Sequence, residues 1–181
     1  MATTNSIEER AKKKIEEAVQ AKKDKDDKAN TAIWSAVALS AGLGGVPLGI
    51  NIWCFMGVNA VLIMILGSIY GHHMTKEGAA HLIRQIFVSL GATFFMMLLG
   101  LKFGAEVLKV NGIFTFGTAT VAGMALDAGL AGAITFALGY TSKEYFKKNK
   151  QLSKEEMRKH FKDFLKAGRE QIKRHRSAKG V

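Results

Sequence analysis

The sequence predicts an all-α protein, in which helical hairpins form a small transmembrane or membrane-associated bundle with charged amphipathic helices at both ends. Three observations predict it. Thr31 to Gly71 is a run of 41 residues without one Lys, Arg, Asp or Glu, interrupted by Gly42-Leu43-Gly44-Gly45-Val46-Pro47-Leu48-Gly49. As one helix it would be about 60 Å long at roughly 1.5 Å per residue, twice the ~30 Å hydrocarbon core of a bilayer, and Pro47 among glycines would break it. A helical hairpin resolves both problems. The second observation is the placement of charge. Residues 1–30 carry eight Lys/Arg against seven Asp/Glu, residues 31–142 four against three, and residues 143–181 fourteen against five, so nine of the eleven net positive charges lie in the last 39 residues. The third is that both charged ends repeat apolar residues at three and four positions, the period of a helix with one dry face.

The segments follow in order as a charged N-terminal helix (1–30), an apolar hairpin domain (31–142) and a basic amphipathic tail (143–181). In the first, Ile7, Ala11, Ile15, Ala18 and Val19 trace a thin apolar face on a helix from Ser6 to about Lys28. It reads as a charged helix leading up to a membrane, or as a coiled-coil or partner-binding helix. The first hairpin arm, Ala32 to Val46, is short for a span even with Trp34 at its mouth; the second, Leu48 to Tyr70, spans comfortably and closes on an interfacial tyrosine. Asn51 and Asn59 interrupt this arm and need polar partners on another helix. A third segment runs from His81 to Leu108, with Arg84 and Lys102 bracketing an uncharged core. The fourth, Val110 to Ser142, has Asp127 as its one charge. Its Ala125, Gly129, Ala133 and Ala137 recur every four residues as a small-residue stripe for close helix packing, and Gly67/Gly71 and Gly100/Gly104 are further pairs at that spacing.

The tail opens on Ser153-Lys154-Glu155-Glu156, a capping box. Met157, Phe161, Phe164, Leu165, Gly168 and Ile172 then form one face of a helix whose other faces carry Lys159, Lys162, Lys166, Arg169, Lys173 and Arg174. Such a helix lies on an anionic lipid surface, docks on a partner, or packs on its own domain. With both basic ends on the cytoplasmic side, the crossings are even in number, two or four. Alternatively, the hairpin is buried in a compact bundle and inserts on a trigger.

The inventory offers little chemistry. A lone cysteine, Cys54, excludes an internal disulfide and reads as a small buried hydrophobe. His72, His73 and His81 lack partners at metal-ligand spacing, the glycines at 42–49 lack the Lys and Ser/Thr of a phosphate loop, and no nucleophile, base and orienter assemble, so neither an enzyme nor a cofactor is expected. Asp127 is the outstanding ionisable residue: a membrane-buried carboxylate for protons or cations, or a helix cap between separate helices at 112–126 and 128–141.

Asn59-Ala60-Val61-Leu62-Ile63-Met64-Ile65-Leu66-Gly67-Ser68-Ile69-Tyr70-Gly71, after the small-residue turn at Pro47, resembles the YcjF-like, GTPase-associated membrane domain of bacteria, a domain of unknown function. The likeness continues through Gly117-Thr118-Ala119 and Gly123-Met124-Ala125-Leu126-Asp127 to Ala137-Leu138-Gly139-Tyr140 and Tyr145-Phe146, covering about 30–147 and leaving both charged ends outside. Where the family pattern has an acidic residue after the proline turn and a glutamine opening the second helix, this chain has Asn51 and Asn59. The resemblance implies the membrane module of a GTPase system, with the GTPase on a separate chain. The sequence thus leads to a non-enzymatic protein of the bacterial cytoplasmic (inner) membrane, a possible homo-oligomer, that anchors or scaffolds a partner. The alternatives are a conditionally inserting pore-former or membrane-remodelling effector and a small channel or transporter using Asp127; nucleic-acid binding by the tail comes last.

Overall fold

The computed structural model describes the backbone of residues 2–20, 22–42, 48–91 and 118–178, and the side chains of 6–20, 22–42, 54–91 and 128–174. Six helices occupy these residues: α1 (Ala2–Gln20), α2 (Lys25–Gly42), α3 (Leu48–Ile69), α4 (Lys76–Leu90), α5 (Thr118–Lys147) and α6 (Lys154–Ala178). No strand occurs among the described residues, and the all-α expectation holds.

Charge boundaries in the sequence are not helix boundaries in the fold. The N-terminal charged segment holds two helices, α1 ending at Gln20 and α2 starting at Lys25 behind Asp24. Asp24 Oδ2 accepts from the backbone N–H groups of Asp26 (2.9 Å) and Asp27 (3.2 Å), satisfying donors that the first turn of α2 leaves open. From there α2 runs unbroken through Asn30 and Thr31 into the uncharged arm. The third apolar segment is likewise divided. Gly91, at φ +82°, ends α4 with its N–H donated back to Val88, so no helix continues from His81 to Leu108. In contrast, the fourth segment is joined to the tail's first residues in one 30-residue helix, and Asp127 lies ten positions inside it. The helix-cap reading of Asp127 is thereby excluded, since a cap must flank a helix.

Helix α3 is the centre of the bundle. Cys54, Val58, Ala60, Val61, Leu62, Ile63 and Leu66 are buried around its whole circumference, and α1, α2, α4 and α5 all pack against it. A helix that is apolar on every face must be enclosed on every face, by lipid or by protein. Here helices enclose it. Among the described residues no helix is long and apolar enough to cross a membrane, so the two-span and four-span arrangements have no support from the described helices.

Paired contacts fix the directions. Against α5, helix α2 runs antiparallel: Lys147 meets Asp26, Lys143 meets Asn30, Gly139 meets Ile33 and Gly132 meets Val37. Helix α3 runs with α5, as Asn59 meets Thr135, Leu62 meets Gly139 and Gly67 meets Phe146. A Cβ on Gly139 would stand 2.8 Å from Ile33 Cγ1 and 3.2 Å from Leu62 Cδ2, so α2, α3 and α5 meet at a point only glycine fits. Helix α6 folds back along α5, with Phe136 against Gly168 and Tyr140 tilted on Phe164 at 5.2 Å. At its other side, Phe87 of α4 packs edge-on against Phe161. Burial of Met157, Phe161 and Leu165 contributes about 1.5–3 kcal/mol each. Thus α6 packs its apolar face on its own domain, and its basic side chains are what it offers outward.

Candidate functional site

Two polar features stand out on this apolar frame. One is a junction at the end of the bundle where α2 begins and α3 and α5 end. Tyr70, the last aromatic of the uncharged run, donates its hydroxyl to Asp26 Oδ1 at 2.6 Å. Lys147 Nζ donates to Asp26 Oδ2 at 2.8 Å. Lys143, whose side chain is 7% exposed, places Nζ 3.6 Å from Asp26 Oδ1, donates to Asn30 Oδ1 at 2.9 Å and lies 5.6 Å above the Tyr140 ring. Its charge is therefore compensated by one carboxylate, one amide and one ring.

The electrostatics follow from these distances. Lys147, then Tyr70, hold the Asp26 carboxyl down to about 2 by hydrogen bonding to its charged form. Burial, reinforced by the bond to Asp26, pushes the Tyr70 hydroxyl up, and the bond to Asp26 raises Lys147. Each partner is thus held in its neutral pH form. The chain leaves α3 through Gly71 at φ +81°, a conformation only glycine adopts without strain, and His72 N–H bonds back to Gly67 O at 2.7 Å. The Tyr-Gly that carries the family resemblance therefore closes α3: Tyr70 ties α3 to α2, and Gly71 turns the chain.

The other feature is the outer surface of α6. Lys159, Lys162, Lys166, Arg169 and Lys173 are all exposed, as is Arg174. On the opposite face Met157, Phe161, Leu165 and Gly168 are buried. The predicted capping box is present atom for atom: Glu156 N–H donates to Ser153 Oγ at 3.1 Å, and Ser153 N–H donates to Glu156 Oε2 at 2.9 Å. Lys148 adds a bond to Glu156 Oε1 at 2.7 Å and, with the capping bonds, draws that carboxyl down to about 2.

The remaining sequence-selected residues divide. Asn59 is fully buried, donating to Phe55 O at 2.8 Å and to Thr135 Oγ1 at 3.3 Å, across the α3–α5 interface where a polar partner was expected. Among the described residues its Oδ1 has no hydrogen-bond partner, nor do the buried hydroxyls of Ser40, Thr141 and Ser142. Asn51 and Asp127 lie within α3 and α5, and their side chains, with that of Ala125, fall outside the described residues, as do Gly100 and Gly104. Ala133 and Ala137 are buried and Gly129 is half-buried. Two close approaches on α5, however, occur at glycines that the four-residue stripe missed: Gly139, where a Cβ would stand 2.8 Å from Ile33 of α2, and Gly132, where it would stand 3.1 Å from Ile172 of α6. Gly67 and Gly71 are not a helix-packing pair. A Cβ on Gly67 would meet His72 O at 2.6 Å, so it admits the returning chain, and nothing approaches Gly71.

Two of the three singled-out histidines have ordinary partners. His72 stacks on Phe146 at 5.7 Å and His81 bonds Gln85. No group of three His, Cys, Asp or Glu residues placed to hold a metal occurs among the described residues. Sequence reasoning passed over Asp26, Asn30, Lys143 and Lys147 because each sits in a charged stretch where nothing local distinguishes it. Their i, i+4 spacing in both pairs was the available signal.

No curated protein and no solved structure matches the chain. The sequence model described as Domain of unknown function (DUF697) matches residues 7–174. That span takes in both charged ends that the resemblance had left outside, as the packing of α1 on α3 and of α6 on α5 requires. The chain belongs to the DUF697 family.

Proposed function

We propose that this protein is a non-enzymatic, bilayer-associated helical module of the bacterial inner membrane that anchors or scaffolds a partner. The observation that carries the reading is α3: 22 residues without a charge, apolar around the whole circumference, at the centre of a small bundle. A domain of this size needs a buried face on each helix, and an amphipathic stripe supplies that. An uncharged helix flanked by a second long uncharged stretch on α5 exceeds that need and suits a protein that works against lipid. Fractionation of the expressed protein, then a carbonate wash and detergent, tests it. Retention on membranes is expected. Recovery wholly in the supernatant, with no association with added membranes, removes the reading.

The enclosure of α3 by α1, α2, α4 and α5 favours a second reading, in which the bundle opens at the membrane and inserts its uncharged helices. Cys54, buried on α3, is the chain's single cysteine and reports on this directly. Thiol labelling that accelerates on adding anionic vesicles supports opening; labelling that stays slow while the protein is bound supports a closed anchor. The GTPase partner implied by the resemblance is tested by co-purification with a nucleotide-loaded GTPase.

A further inference from the structure

We propose that Lys159, Lys162, Lys166, Arg169 and Lys173 form a linear docking surface on which α6 lies flat against the headgroups of an anionic bilayer. The inference rests on the bilayer reading above and names the surface that makes the contact. Successive spacings of three, four, three and four residues place the five cations in one line along the helix. From first to last the line is about 21 Å long at about 1.5 Å per residue. Glu155, four residues before Lys159, stands at the start of this line, and Glu156, Asp163 and Glu170 fall on a separate line beside it, so no acid interrupts the cations between Lys159 and Lys173.

Two structural facts turn this spacing into a surface. The five side chains are exposed, whereas Met157, Phe161 and Leu165 on the opposing side are clamped against α4 and α5. A free amphipathic helix would bury its apolar face in acyl chains; this one has that face committed to the bundle, so its contact with a membrane is electrostatic and lies at headgroup depth. Second, α6 is capped at its start and supported along its length, so the charges are held in a straight line that suits a flat array of anions. A single-stranded polynucleotide is recognised by stacking as well as charge. Phe161 and Phe164 pack inward, and among the described residues the exposed large hydrophobic is Val88, far along α4 and not aromatic.

The test is flotation of the full chain with phosphatidylglycerol vesicles and, separately, phosphatidylcholine vesicles. Binding to the first alone is expected, with release as salt shortens the screening length. Single neutralisations, Lys166→Gln or Lys173→Gln, each lower the apparent affinity by about fivefold. The combined reversal Lys162→Glu, Lys166→Glu, Arg169→Glu abolishes binding, with unchanged circular dichroism showing the helix intact, while Lys12→Glu with Lys13→Glu on α1 leaves it in place. Phosphatidylglycerol binding that survives the triple reversal overturns the docking line but leaves the bilayer reading standing. No vesicle binding by the unaltered protein overturns both. Stripe-dependent binding to a polynucleotide without vesicle binding overturns the choice of lipid.

Discussion

Helices α3 and α6 are built on opposite rules and serve the same core. Helix α6 is amphipathic: its buried residues recur at helical spacing, its charges lie opposite, and a capping box marks its start. Helix α3 has no polar face to point outward, so its sequence specifies that it is enclosed without specifying by what. The pair teaches that periodicity encodes orientation, while uniform apolarity encodes only burial. The sharpest way to break the comparison is to remove equivalent packing from each. Leu62→Ala and Phe161→Ala delete fully buried side chains, and each is expected to lower unfolding free energy by about 3 kcal/mol in urea titrations. If Leu62→Ala costs less than a third of what Phe161→Ala does, α3 is not held by the helices around it.

A smaller effect separates crowding from backbone strain. Gly139→Val places its branch against Ile33 and Leu62, where a Cβ alone would already stand 2.8 Å from its neighbour, and about 2 kcal/mol of destabilisation is expected. Gly71→Ala meets open space but must adopt φ +81°, and about 1 kcal/mol is expected. Comparing the two by thermal unfolding shows whether the three-helix contact or the turn after α3 constrains the core more.

The same contrast explains what was legible in the sequence. The capping box, the buried face of α6 and the hairpin of α2 and α3 follow from local rules of period and capping, and they stand as expected. The end of α4 at Gly91 was misjudged and the run of α5 through Asp127 was left open against a cap between two helices, because a glycine or a lone charge in an apolar segment has no local meaning. Gly91 turns at φ +82° with open space around it among the described residues, a backbone choice that its apolar sequence neighbours do not announce. The Asp26, Tyr70, Lys143 and Lys147 junction was illegible for a related reason. Its members lie up to 121 residues apart, and only the packing of α2 on α5 brings them together.

That junction gives the effect next in size to Gly139→Val. Tyr70→Phe removes a bond to an ionised carboxylate, about 1.5 kcal/mol after allowing for an Asp26 side chain that is 46% exposed. Because Asp26 titrates at about 2 in the fold, below its value near 3.9 in the unfolded chain, its contribution is complete above about pH 4 and is lost as pH falls through 2. Tyr70 and Lys147 are raised instead, so their contribution is present below about pH 10 and lost above it. The difference in stability between the parent and Tyr70→Phe should hold steady from pH 4 to 10 and shrink outside it. A difference that stays constant down to pH 2 would mean Asp26 is not the partner that matters.

An effect as small as that of Gly71→Ala belongs to the element whose sequence was most explicit. Ser153→Ala removes the hydroxyl that accepts from Glu156 N–H, about 1 kcal/mol for an N-cap, or a fall of about 3 °C in melting temperature for a chain of this length. Glu156 still accepts from the backbone N–H of residue 153, which alanine retains, so one half of the box persists. Hydrogen exchange should therefore accelerate at Glu156 N–H and stay slow at residue 153. Equal acceleration at both would mean that the hydroxyl holds the whole turn in place, and that α6 owes its start to one side chain and not to a reciprocal pair. Helix α3 carries no such local device at its described end, where Gly71 and the Asp26 bond of Tyr70 close it, so the matching experiment there is Tyr70→Phe and its effect is the larger of the two.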